Sequence, residues 1–97
     1  MHPKSKRAAA RRREMNRRDV DFVARLNDTM QEAVLTGLQE RLKVSPFMRR
    51  GMARQFEMLQ KAAAREGTPE RAERLKRYCA RLAAILAECG AGAEQER

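Results

Sequence analysis

A chain of 97 residues with a net charge of +9 and 4% aromatic content makes one small domain at most. No apolar run approaches the ~20 residues that a membrane span requires, no apolar signal segment follows the basic start, and one histidine, His2, with two cysteines cannot assemble a metal site. The charge is unevenly placed: residues 1–18 carry eight cations against Glu14 alone, a balance of +7, which leaves +2 for residues 19–97. Seventeen of the 22 cations are arginine and sixteen residues are alanine, a bias that GC-rich coding imposes. Such a bias explains arginine in place of lysine, but not the crowding of charge at one end.

Residues 1–18 read as an arginine-rich arm, disordered or helical on binding. Its cations are Lys4, Lys6, Arg7, Arg11, Arg12, Arg13, Arg17 and Arg18. Alanine, arginine, glutamate and methionine all favour helix, yet an isolated segment so short and so charged is largely unfolded until a polyanion screens its repulsion. Arginine makes planar, multi-donor contacts with phosphates and guanine edges. With no aromatic residue in the arm, base stacking is not supported. Ala8, Ala9, Ala10 and Met15 offer too small an apolar face for a mitochondrial presequence.

Three predicted helices follow. The first, residues 19–43, carries Phe22, Leu26, Met30, Val34, Leu38 and Leu42 at steps of four, and either Asn16 or Asp19 caps it or the helix continues back into the arm. Ser45–Pro46 is an N-cap followed by proline at the first helical position. The second helix then places Phe47, Met48, Met52, Phe56, Leu59 and Ala63 on one face and ends at Gly67, read as a left-handed C-terminal residue. Thr68–Pro69–Glu70 repeats the start signal. In the third helix Leu75, Cys79, Leu82, Leu86 and Cys89 form a heptad seam, with Tyr78 and Ile85 beside it, and Gly90 closes it before a polar tail at 91–97. Helices of about 25, 20 and 21 residues with short connections predict an all-α, antiparallel three-helix bundle over residues 19–90. Cys79 and Cys89, ten residues apart on one helix, sit about 15 Å apart, beyond disulfide reach. Two unpaired thiols on the seam are core residues, and fit a reducing cytoplasm.

Catalysis has no foothold. His2 is not held by a scaffold, the glycines are isolated, and no carboxylates pair in a pocket. A helix-turn-helix around Gly67 needs apolar residues just after the glycine and six and nine positions beyond it, but Thr68, Glu73 and Lys76 stand there. Arg71, Arg74, Arg77 and Arg81 form a second basic stripe. It reads more plainly as a solvated face paired with Glu70 and Glu73, or else as an extension of the polyanion track.

The arm from Lys4 to Arg18 resembles the arginine-rich RNA-binding motifs at the start of phage antitermination proteins, which fold as a helix on an RNA hairpin. The resemblance covers the arm alone and implies RNA as its ligand. The sequence therefore predicts a non-enzymatic, nucleic-acid-binding accessory protein, RNA slightly favoured over DNA, with no membrane, cofactor or small-molecule substrate. Its bundle would dock on a protein partner or on itself. The alternative is a helical adaptor or assembly subunit, including one in a ribonucleoprotein, whose arm meets an acidic surface. Met48, Met52 and Met58 would then give it an adaptable apolar face.

Overall fold

The computed structural model describes the backbone of residues 3–95 and the side chains of residues 6–90. His2 and the last two tail residues lie outside the described residues, as does the side chain of Lys4. Among the described residues the fold is all-α, with four helices: α1 (Pro3–Ala24), α2 (Asp28–Val44), α3 (Pro46–Arg65) and α4 (Pro69–Gln95).

The expected three-helix count is corrected to four at residues 25–27. Asn27 leaves the helical conformation (φ −77°, ψ 176°), and its side-chain oxygen accepts the Met30 N–H at 2.9 Å. Asp28 follows in the first turn, where a carboxylate favours the helix dipole. An N-cap and first-turn acid inside the expected 19–43 helix thus start a new one. The steps of four run across this break and mask it. Leu26 in the turn is buried, whereas Phe22 and Met30 on either side are exposed.

Upstream of that break, α1 is one helix from Pro3 to Ala24, so the arginine-rich segment and the first core residues share a single rod. Ala8–Ala10 and the Glu14 ion pairs with Arg17 and Arg18 support it locally. Its C-terminal part is anchored: Val23 and Ala24 are buried and Val20 packs against the core. Residues 6–8 and 10–13 are exposed. The radius of gyration is 14.8 Å, against about 12.5 Å for a compact chain of this length.

Ser45 behaves as its sequence predicts. Its hydroxyl accepts the Met48 N–H at 3.2 Å, with Pro46 opening α3. Arg49 folds back and donates to the Leu42 carbonyl at 2.7 Å, satisfying an orphan acceptor at the end of α2. Gly67 is not the left-handed residue expected, because no described glycine has positive φ. The helix instead ends on extended Glu66, whose N–H reaches the Ala63 carbonyl. Gly90 does not close the last helix either, since α4 runs through it to Gln95. A glycine in a helix lowers its stability by about 1 kcal/mol, which a long helix tolerates.

Around α4 the core gathers. Leu75, Tyr78, Cys79 and Leu82 are buried on its seam, opposite Leu59 and Ala63 of α3, with Val23, Leu26 and Leu35 closing the other side. Leu42, Leu59, Leu75 and Leu82 are wholly buried, each contributing roughly 1.5–3 kcal/mol. α3 and α4, joined by three residues, make the most extensive pair, and α1 and α2 cover the rest of α4. On α2 the buried line runs Gln31, Leu35, Leu42 with Leu38 partly buried, so a glutamine occupies a core position. Its amide donates to the Arg74 carbonyl at 2.9 Å and more weakly to that of Leu26 at 3.4 Å, while its oxygen accepts from Arg81 at 3.3 Å. A buried amide satisfied on both sides ties the α1–α2 turn to α4.

Candidate nucleic-acid interface

Charge on α1 is arranged by helical geometry. At about 100° per residue, Arg7, Arg11 and Arg18 fall on one side of the rod and Lys6, Arg13 and Arg17 on a second. Arg12 turns toward α3, where it borders a hollow with Phe47 and Met48. Arg17 and Arg18 share the carboxylate of Glu14, with Arg17 at 2.7 Å and Arg18 at 3.4 Å. The Arg17 hydrogen bond is the main reason that Glu14 sits below its ordinary pKa, and Arg17 rises correspondingly. Among the described residues, Lys6, Arg7, Arg11, Arg12 and Arg13 are exposed and make no ion pair. Like charges four apart, Arg7 with Arg11 and Arg13 with Arg17, oppose the helix by roughly 0.2–0.5 kcal/mol per pair. A phosphate backbone along the rod would relieve that repulsion.

The second stripe is differently placed. Arg71 donates to Glu66 and, at 2.9 Å, to Asp21 of α1. Arg74 donates to the Ala24 carbonyl at 3.3 Å, the end of α1. Arg77 pairs with Glu73 at 3.2 Å and Asp28 at 3.1 Å. Arg81 reaches the Asp28 backbone carbonyl at 3.1 Å and its carboxylate at 3.7 Å. All four guanidinium groups thus meet acceptors of the chain itself. The hydrogen bond from Arg71, helped by the N–H groups of Thr68 and Gly67, holds the Glu66 carboxyl below its usual range.

Glu73 is the intrahelical partner that spacing predicts for Arg77. Glu66, Asp21 and Asp28 come from other elements, and no periodicity within α4 could have named them. Their one sequence signal is position: Asp28 follows a capping asparagine, and Glu66 precedes a Gly-Thr-Pro start.

The face assigned to the second predicted helix also divides. Leu59 and Ala63 are buried, Met48, Met52, Phe56 and Met58 are partly so, and Phe47 is 70% exposed. Phe47 stands beside Met48, Gly51 and Met52 over a hollow whose opposite wall is Arg12 and Asn16 of α1. A second hollow, between α1, α2 and α3, holds Phe22, Val34, Gly37, Leu38 and Arg41. The two adjoin at Asp19, Met52 and Gln55, where Gln55 donates to Asp19 at 3.2 Å.

Cys79 is buried and Cys89 half-buried, and both are unpaired on α4. Burial pushes the Cys79 thiol up, away from the reactive thiolate. Among the described residues no helix is long and apolar enough to cross a membrane. No protein-family model matches the chain, and neither does any curated protein or solved structure.

Proposed function

We propose that this protein is a non-enzymatic accessory protein that grips the phosphate backbone of a nucleic acid through the first half of α1 and docks by its helical body on a partner or a second copy. One observation carries the reading. Among the described residues, Lys6, Arg7, Arg11 and Arg13 on the outward sides of α1 make no ion pair, whereas the comparable arginines of α4 are all engaged. RNA is favoured over DNA by the likeness of the segment to arginine-rich RNA-binding motifs. Contacts made by guanidinium groups with no aromatic platform should track phosphates and groove shape rather than base sequence.

The test is affinity for a structured RNA across a salt series, comparing the full chain with Lys6, Arg7, Arg11 and Arg13 all changed to Gln. Substitution in place is preferable to deletion of residues 1–18, because α1 is continuous into the core. Each lost phosphate contact lowers the log–log salt slope by about 0.7–0.9. Equal affinities and equal slopes would sink the proposal.

The adaptor or assembly-subunit reading, with the arm on an acidic protein surface, draws support from the exposed apolar hollow at Phe47. A complex that survives nuclease and forms with an acidic protein in place of RNA would favour it.

A further inference from the structure

The adjoining hollows form one trough, and its walls hold an anomaly. Gly37 lies in the middle of α2 and Gly51 within α3, and a β-carbon built at either meets nothing within 4 Å. Neither backbone conformation requires glycine, since no described φ is positive. A mid-helix glycine weakens its helix relative to alanine, and here no packing inside the chain compensates. Both glycines border the trough, Gly37 beside Arg41 and Gly51 beside Phe47. Gly90 in α4 is equally open, so what sets Gly37 and Gly51 apart is their shared place on one hollow, where bare helix backbone admits close approach by an outside segment.

Charge identifies the kind of segment. Arg12, Arg41 and Arg54 stand along the trough and, among the described residues, none is in an ion pair. The one carboxylate lining it, Asp19, already accepts a hydrogen bond from Gln55. Phe47, Met48 and Met52 supply apolar and adaptable surface between the cations. A second copy is a poor occupant, because a two-fold contact would set this face, with three arginines and one carboxylate, against another of the same sign. We infer that the trough docks an acidic amphipathic helix of a protein partner, its apolar stripe on Phe47 and Met52 and its carboxylates on Arg12, Arg41 and Arg54. The inference rests on the docking half of the proposed function and gives the partner its chemistry. Arg12 thereby belongs to the trough, and the outward sides of α1 remain for the polyanion.

The probe is a fluorescently labelled designed helix with leucines at every third and fourth position and glutamates elsewhere, titrated into the full chain. It should bind roughly tenfold or more tightly than a copy carrying lysine for glutamate. Gly37→Leu and Gly51→Leu should each weaken it roughly tenfold, with the circular dichroism melting midpoint unchanged or raised. Equal binding of the two peptides overturns the inference, as does full binding by both leucine variants. A dimer in sedimentation that Gly51→Leu dissociates overturns it in favour of a second copy, and a loss of RNA affinity in that variant overturns it in favour of nucleic acid. Should leucine unfold the chain, the paired change Arg12→Gln with Arg54→Gln decides, by abolishing or sparing the preference for the acidic peptide. Peptide affinity is expected to survive the Lys6, Arg7, Arg11 and Arg13 changes, so the trough and the phosphate grip can fail separately.

Discussion

Two stretches of this chain look alike on paper: Lys6 to Arg18 on α1 and Arg71 to Arg81 on α4 both repeat arginine at helical spacing. In the folded protein they do opposite things. On α4 each guanidinium is met by the chain, through Glu66, Asp21, Asp28, Gln31 or the Ala24 carbonyl, and the stripe fastens α4 to the end of α1 and the start of α2. On α1 the one acid that precedes Asp19, Glu14, serves Arg17 and Arg18, and among the described residues Lys6, Arg7, Arg11, Arg12 and Arg13 make no ion pair. Arginine density alone therefore does not say which cations are available to a ligand. The acceptors brought within reach by the fold decide that, because a guanidinium already hydrogen-bonded at home gains little by exchanging partners.

The largest expected effect lies on α1. Changing Lys6, Arg7, Arg11 and Arg13 to Gln should lower RNA affinity by about ten- to a hundredfold at moderate salt and flatten the salt slope by up to about 3.6. The melting midpoint should not fall, since repulsion along the rod is relieved. A fall in stability with unchanged affinity would erase the contrast between the two stretches.

The reverse outcome is expected inside the body. Gln31→Leu removes the donor to the Leu26 and Arg74 carbonyls and the acceptor for Arg81. It should cost about 1–3 kcal/mol in chemical denaturation, and leave RNA affinity unchanged. Asp28→Asn probes the contrast directly by loosening Arg77 and Arg81. It should lower the melting midpoint slightly and raise RNA affinity about two- to fivefold, with a steeper salt slope, as locked cations become free ones. An unchanged slope would mean that the α4 stripe faces away from the track of α1.

The smallest effect is a pH dependence. The Arg71 hydrogen bond depresses the Glu66 pKa in the folded state. Its stabilising contribution is therefore complete above the ordinary glutamate value, about 4.3, and is lost as pH falls through the lower folded value. Thermal melts from pH 6 downward should show stability falling below about pH 4.3, with a shallower decline in Glu66→Gln. Identical profiles would show that the ion pair at the α3–α4 turn adds nothing to the clamp.

Local signals carried far where they acted within a few residues. Ser45–Pro46 capped its helix, Pro69 opened another, and of the seam Leu75, Cys79 and Leu82 are in the core with Tyr78 beside them, while Leu86 and Cys89 are only partly buried. The signal at Asn27–Asp28 was equally local, but the apolar steps of four ran across it. Periodicity outweighed a cap there because a turn can bury its own leucine, Leu26, although Phe22 and Met30, four positions to either side, are exposed. Gly67 and Gly90 misled in the opposite direction, since glycine permits a helix end without enforcing one.

Helical content and the uneven charge are matters of composition and spacing, and were legible along the chain. Which arginines are free, that a glutamine belongs in the core, and that Gly37 and Gly51 border one trough are matters of which elements meet. Asp28 neutralises Arg77 from 49 positions away, and Asp21 reaches Arg71 from 50. Those pairings exist only because the turn at residues 25–27 sets the end of α1 and the start of α2 against the same side of α4. An ion pair between distant elements depends on where packing puts two backbones, and linear spacing holds no record of that.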